Sequence, residues 1–482
     1  MNTLVPFGLS AALALLSLPG QAAQPAQPAQ PAQPAQPAQP AQVGGPGCEN
    51  LQCMVCPALS DPQRYAEGRM KLMREIVPGK DRWLFRSAVD LTNDFGIPAP
   101  MRPEFARLMQ AFERQGIHVA MAIQPTRGLM HRDKLFADQL HGFDYARASN
   151  NLAAYLGQLR QAGALVAPMM QLVQQPPKGE YFFRRDHHWT PSGAEATARL
   201  MAEEIRRQPF YAGLTKKEYR TEPGVMVPKD GTLNLAMSSI CGNNYGFQYV
   251  RGYQTIPLAS GADALFDEAP DPQVILVGDS NAAAREDESK QFNFDGYLKQ
   301  YLNVDILNYA LPGVGEEGSL LEYLLSSDYK AKAPPKLIVW ELPANYRLDS
   351  PLMYRQLVPA VQGGCAANKE VLGAKLQRPA LKVGERIELL SNAGSGRQAL
   401  SKGFLDIRLS DKNVKDFYII VYYDNGARDK VWFRREAAVT GGQYYLELSK
   451  APEFAGANLL SVFMEPTKAG TAATDVETRL CM

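Results

Sequence analysis

Two short stretches of this chain carry residue types that can do covalent chemistry. In the first, Gly278-Asp279-Ser280-Asn281 follows the apolar run Val274 to Val277. In the second, Asp186-His187-His188 lies between Tyr181-Phe182-Phe183-Arg184-Arg185 and Trp189-Thr190. A serine hydroxyl is a poor nucleophile until an imidazole accepts its proton, and a carboxylate keeps that imidazole in the useful orientation. In an extended segment, residues two apart face the same way, so Asp186 and His188 share a face. The carboxylate then meets one ring nitrogen and the other is free to meet a nucleophile. Each half alone is weak, because Gly-Asp-Ser is a common loop cap and a charged loop often precedes a helix. The two together compose an acyl-transfer triad. A metal site is the competing chemistry for the histidine pair, but no Cys, Glu or third His stands near it. The whole chain of 482 residues has only five histidines, and no metal is expected.

These residues need elements to hold them. Pro103 to Gln115 reads as a helix ended by Gly116, with Ile117 to Ile123 following as an apolar strand. Tyr145 to Ala162 repeats the helix, and Ala164 to Pro168 the strand. Thr190-Pro191-Ser192-Gly193 opens another helix, with a hydroxyl at the N-cap and Pro in the first turn. Val274 to Val277, Val304 to Asn308 and Leu337 to Trp340 are further strands, and Ala282-Ala283-Ala284-Arg285 is expected to begin a helix behind Ser280. Such alternation predicts an α/β fold, a mostly parallel sheet flanked by helices with its site at the carboxyl ends of the strands. After Pro351 the pattern changes to short β-rich runs: Ile387 to Leu390, Phe404 to Leu409, Asp416 to Tyr423, Val431 to Arg435, Gln443 to Leu448 and Leu459 to Met464. Turn signals such as Asp424-Asn425-Gly426 separate them, which predicts a small all-β sandwich.

The remaining composition sets the context. With 51 Lys+Arg against 50 Asp+Glu the net charge is +1, which excludes a polycation built to wrap nucleic acid. At 45% hydrophobic residues, the chain is not a charged disordered polymer either. The run Leu4 to Leu18 is too short to span a bilayer and is followed by small residues at Gly20 and Ala22, so 1–22 reads as a cleaved secretory signal. Six Ala-Gln-Pro triplets from Ala23 to Pro40 make 23–47 a solvated, polyproline-like linker. The α/β domain is then expected over 48–350 and the β sandwich over 351–482. The six cysteines fit an exported chain. Disulfides are the favoured reading: Cys365 with Cys481, one of the N-terminal three (Cys56 preferred) with Cys241, leaving Cys48 and Cys53 able to pair locally. No segment after the signal reaches membrane-spanning length.

Gly278-Asp279-Ser280 on a strand end, followed by Asn308-Tyr309-Ala310-Leu311-Pro312-Gly313, resembles the first blocks of the SGNH hydrolase superfamily. The Asp-x-His upstream of the Ser, in Asp186-His187-His188-Trp189-Thr190, is similar to the alginate O-acetyltransferases of the AlgX and AlgJ type. Asp81-Arg82-Trp83-Leu84-Phe85, Pro125-Thr126-Arg127-Gly128-Leu129-Met130-His131 and Trp340-Glu341-Leu342-Pro343-Ala344-Asn345-Tyr346 match as well, while Asp279 stands where the family carries a small hydroxyl residue. The C-terminal β region with its bracketing cysteines resembles the carbohydrate-binding module of the AlgX family. The resemblance implies Ser280 as nucleophile, His188 as general base, Asp186 as its orienting carboxylate and Tyr346 as active-site support. Gly313, Gly315 and Asn345 become candidate oxyanion or supporting groups.

It further implies a periplasmic O-acetyltransferase that modifies mannuronate residues of alginate through an acetyl-serine. An acetyl donor is required and no cofactor. Expected partners are the polymannuronate itself and periplasmic alginate export and acetylation proteins. An acetylesterase with the same triad, or a non-catalytic alginate-binding chaperone, is the alternative. Arg127, Arg184 and Arg185 are candidates for holding uronate carboxylates, since guanidinium and carboxylate pair in bidentate fashion. Lys430, Trp432, Arg434 and Arg435 in the β region interleave cations with an aromatic, a pattern suited to a charged sugar and also to a protected edge strand. With net charge near zero, positive charge for a polyanion has to be local.

Overall fold

The structure, a computed structural model, describes residues 55–68, 70–258, 272–470 and 472–482. The signal, the Ala-Gln-Pro linker and the Cys48–Cys53 pair lie outside these residues.

Five parallel strands form the central sheet, in the order Leu165–Val166, His118–Gln124, Leu337–Pro343, Val274–Val277 and Leu307–Asn308. Two of the three inner strands, Val274–Val277 and most of Leu337–Pro343, are buried on both faces, which is why they read as apolar runs. Helices Arg102–Arg114, Tyr145–Gln161 and Pro191–Arg206 bury their apolar sides against the same core. Thr190 caps the last of these by accepting the Gly193 N–H at 3.2 Å, with Pro191 in its first turn. A two-stranded antiparallel ribbon, Tyr219–Lys229 with Gln248–Pro257, joined through the helix Thr232–Cys241, was not legible in the sequence, where Pro and Gly interrupt its alternation.

The C-terminal part is a sandwich of two four-stranded antiparallel sheets around its own apolar core. It contains all six expected runs and two more strands, Glu370–Arg378 and Thr474–Cys481, which pair with each other. A helix, Pro351–Val361, precedes them where β structure was expected. Its sequence is almost wholly apolar, and it is buried all round, so no polar face announces a helical period. Arg107 ties the two parts together through a two-pronged contact with Glu447 (2.7 and 2.9 Å), and within the second part Arg355 of the helix meets Asp429 at 2.6 Å. Both Cys365–Cys481 and Cys56–Cys241 are bonded.

Candidate active site

The carboxyl ends of the parallel strands converge on one cleft of about 340 Å³. Ser280 stands three residues beyond Val274–Val277, Gln124 and Thr126 lie at the end of His118–Gln124, Asn345 and Tyr346 follow Leu337–Pro343, and Gly313 follows Leu307–Asn308; all line it. Within it His188 Nε2 is 2.8 Å from Ser280 Oγ. The other ring nitrogen, Nδ1, is hydrogen-bonded to Asp186 Oδ1. That oxygen also accepts the His188 N–H at 2.9 Å, and Asp186 Oδ2 accepts the Thr232 N–H at 2.9 Å. Lys229 Nζ lies 3.7 Å from Oδ2. Burial works to raise the Asp186 pKa, but His188, by charge and by hydrogen bond, then His187 and Lys229, outweigh it and hold the carboxyl well below its usual range.

The surroundings explain how this geometry is kept. Thr232 opens the helix Thr232–Cys241, so a helix N-terminus faces the Asp186 carboxylate. Gly231 precedes it with φ 93°, and a Cβ there would sit 2.3 Å from the Arg185 carbonyl, so only glycine lets the loop lie this close. Asn281 links the two halves: its Oδ1 accepts the Trp189 N–H at 3.2 Å and its carbonyl accepts the Trp189 indole N–H at 3.0 Å. The residue after Ser280 is thus locked to the residue after His188.

The expected helix behind Ser280 is absent. Asp279 Oδ1 accepts both the Asn281 N–H (2.7 Å) and its side-chain amide (3.0 Å), which closes a local turn. The chain then runs without regular structure to a short turn at Glu288–Lys290. A helix dipole at Ser280 therefore plays no part in this site.

Beneath the turn, Glu341 is fully buried and its Oε2 accepts the Asp279 N–H at 3.2 Å, while Oε1 has no hydrogen-bond partner among the described residues. Burial first, then the neighbouring Asp279 carboxyl, raise the Glu341 pKa well above the carboxylate range. Burial followed by Asp279, Glu341 and Glu316 likewise raises the Tyr346 hydroxyl.

Asp186, His187 and His188 bring their ligand atoms within 4.8 Å of one another. Each already has a protein partner: His187 Nδ1 meets Thr232 Oγ1 at 2.6 Å, His188 bridges Asp186 and Ser280, and the Lys229 ammonium stands beside Asp186. The donor set is organised for hydrogen bonding and is poorly suited to a cation.

Three sequence expectations, for Arg127, Arg435 and Gly315, need correction, and the candidates Arg184 and Arg185 fall outside the Ser280 cleft. Arg127 does not face a ligand: it is 1% exposed, and its guanidinium donates to the carbonyls of Phe183, Asp186, Leu84 and Arg184 and pairs with Asp90 at 3.3 Å. Burial lowers its pKa to about 10 against the pull of Asp90, so it stays charged and braces the loop that carries Asp186. Arg184 and Arg185 line a separate groove, away from Ser280. Arg435 turns inward, donating to Gln356 Oε1 and to the Gln443 carbonyl at 3.0 Å. Gly315 does not line the Ser280 cleft and occupies a turn with φ 75°. Besides Arg127, whose donors are taken by backbone carbonyls, the cleft is lined by the partly buried Arg86, held by Asp90 at 2.7 Å. Sequence reasoning missed it by one position, since it directly follows Asp81–Phe85.

In the β sandwich, Arg428–Arg434 is an edge strand that exposes alternate residues. Lys430, Trp432 and Arg434 share that face, Trp432 being 45% exposed. The indole stacks on Tyr418 with ring centres 5.6 Å apart and donates to Asp416 at 2.7 Å, while Arg434 lies 5.4 Å from the indole.

A parallel sheet with Ser, His and Asp assembled at its carboxyl edge defines an SGNH-hydrolase-like domain, here joined to a β sandwich. Residues 76–344 match the family described as an SGNH hydrolase-like domain, acetyltransferase AlgX, and residues 364–482 match a C-terminal carbohydrate-binding module. The chain belongs to the AlgX family. The alginate biosynthesis protein AlgX of Pseudomonas syringae pv. tomato is 34% identical over 433 residues, 89% of this chain and 88% of that protein. The solved structure of Pseudomonas aeruginosa AlgX superimposes with a TM-score of 0.79 at 32% identity, covering 89% of this chain and 99% of that one. A Pseudomonas putida protein named "Probable alginate O-acetylase AlgJ" is 30% identical over 302 residues, 60% of this chain and 73% of its own length.

Proposed function

We propose that the protein is a periplasmic O-acetyltransferase acting on mannuronate residues of alginate, with Ser280, His188 and Asp186 as its catalytic triad. The observation that carries this reading is the 2.8 Å contact of His188 Nε2 with Ser280 Oγ while Nδ1 rests on Asp186. The relatives named for alginate biosynthesis and O-acetylation support the choice of polymer.

In the first half-reaction Ser280 Oγ attacks the acetyl carbonyl of the donor and its proton passes to His188 Nε2. The tetrahedral oxyanion is met by the Ser280 N–H, the Gly313 N–H and the Asn345 amide, all at the cleft wall. Collapse expels the donor's leaving group, which takes the proton from His188, and leaves acetyl-Ser280. A sugar hydroxyl then gives its proton to His188 Nε2 and attacks the acetyl carbon. Ser280 recovers the proton as the acetylated sugar departs. Tyr346 and Arg86 flank this path, the guanidinium being suited to a uronate carboxylate. The chemistry needs an acetyl donor and no cofactor. The exposed Lys430, Trp432 and Arg434 face is the reading's second polymer contact, consistent with the carbohydrate-binding-module match.

The test is to incubate the protein with a chromogenic acetyl ester, with and without oligomannuronate, and follow the sugar by mass spectrometry. Acetylated oligomannuronate should appear with the native chain and not with Ser280→Ala, which should still bind the sugar. Acetate release without acetylated sugar would make the protein an esterase. Equal acetylation by Ser280→Ala would remove Ser280 from the chemistry.

A further inference from the structure

The loop between Glu180 and Thr190 has two outlets. Phe182 and His187 line the Ser280 cleft, whereas Glu180, Arg184, Arg185 and Thr190 line a second groove of about 520 Å³. The far wall of this groove is the two-stranded ribbon and its approach, with Phe247 at 59% and Tyr249 at 64% exposure.

Arg185 is the unusual member. It is 5% exposed, its Nε is buried without a hydrogen-bond partner, and no carboxylate among the described residues pairs with its guanidinium. Its backbone is pinned, the carbonyl accepting the N–H groups of Leu233 and Asn234 at 3.1 Å each. The two nearest acids are committed elsewhere: Glu180 to Arg184 at 2.6 Å and to Gln248 at 2.9 Å, Asp230 to Asn234 at 2.6 Å. Burial, with Arg184 and Arg82 adding like charge, lowers the Arg185 pKa, and the more weakly felt charges of Glu180 and Asp230 do not offset it. The buried Tyr245 hydroxyl also lacks a partner and feels both Arg82 and Arg185. A buried guanidinium without a counter-ion is costly unless a ligand supplies the negative charge.

We infer that this groove is a second saccharide subsite, in which Arg185 takes the carboxylate of a uronate residue and Phe247 and Tyr249 pack against sugar faces. The inference rests on the polyuronate reading above. A planar carboxylate suits the guanidinium fork, and exposed aromatics beside a cation repeat the recipe of Lys430, Trp432 and Arg434 on the β sandwich. The subsite would grip the polymer on the side of the loop opposite Ser280.

The experiment is calorimetric titration of the full-length Trp432→Ala chain, which reduces the β-sandwich contribution, with hexamers of mannuronate, galacturonate and neutral mannose. Residual binding of a uronate hexamer, absent for mannose, should weaken about 10- to 100-fold on adding Arg185→Gln, the loss expected for a charge-assisted contact. The thermal midpoint should not fall, because an unpaired buried charge has been removed. If Arg185→Gln misfolds, Phe247→Ala with Tyr249→Ala probes the same groove from exposed positions and should weaken uronate binding likewise. Unchanged affinity in these variants, equal binding of mannose, or loss of all uronate binding in Trp432→Ala alone would overturn the inference. An Arg185-dependent affinity for galacturonate only would keep the groove and remove mannuronate as the substrate.

Discussion

Replacing Asp186 by Asn tests the site most sharply, because the carboxylate serves three hydrogen-bond donors and a nearby ammonium, and the amide has one acceptor oxygen. Asp186 Oδ1 takes His188 Nδ1 and the His188 N–H (2.9 Å), and Oδ2 takes the Thr232 N–H (2.9 Å) with Lys229 3.7 Å away. If the amide oxygen of Asn faces His188, its NH2 confronts the Thr232 N–H and the Lys229 ammonium. If the NH2 faces His188, Nδ1 has to become an acceptor, the proton moves to Nε2, and the nitrogen 2.8 Å from Ser280 Oγ can no longer act as a base. Either way the imidazolium formed in the transition state loses its counter-charge. A charge-assisted hydrogen bond of about 1.5–3 kcal/mol and the wrong tautomer together predict a loss of about 10³–10⁴ in kcat, or about 4–5.5 kcal/mol. The assay is steady-state hydrolysis of a small acetyl ester, with kcat and KM separated; KM should move little. A kcat reduced less than about tenfold would refute the assignment of Asp186. The native carboxyl, held below its usual range, also has a sign consequence. Its stabilising contribution is present above the unfolded pKa near 3.9 and is lost only as pH falls through the lower folded value, so an acid-side fall in rate near pH 5–6 would not come from Asp186.

Arg127→Met strands the carbonyls of Phe183, Arg184, Asp186 and Leu84 and leaves Asp90 without one of its partners, so denaturant titration should show a loss of about 3–5 kcal/mol; a variant as stable as the native chain would contradict the bracing role. Glu341, raised well above the carboxylate range, has its full stabilising value below the unfolded pKa and loses it as pH rises toward the folded value. Glu341→Gln should therefore gain on the native chain as pH rises above the unfolded carboxyl pKa, by up to about 1.4 kcal/mol per pH unit while the buried carboxyl keeps its proton, and parallel stability curves would show the carboxyl ionised.

Legibility in the sequence followed the range of the interactions. The three candidate residues stood out because Asp186 and His188 are two apart and Ser280 closely follows an apolar run, both local facts. The β-sandwich runs were legible for the same reason, their turns being signalled nearby. The helix expected after Ser280 failed because three alanines favour a helix only weakly against the side chain of Asp279, which captures the Asn281 N–H. Glu341 looked like one charge in an apolar strand. Its meaning arises from pairing, since Val277 lies opposite Trp340 and so sets Glu341 beneath Gly278. Asn281 and Arg86 likewise gain their roles from contacts across the fold. Arg127 was misread because its type suggested a ligand while its position, 1% exposed, made it a brace.

The helix Thr232–Cys241 has one end on the Asp186 carboxylate and the other in the Cys56–Cys241 bond. An isolated helix of ten residues is marginal in water. A chain in which these two cysteines are still thiols has to seat that helix by packing alone, with the cap of the acid at stake. The alignment of the Asp186 carboxylate is thereby coupled to the Cys56–Cys241 bond, so under the proposed function reducing that bond should weaken acyl transfer.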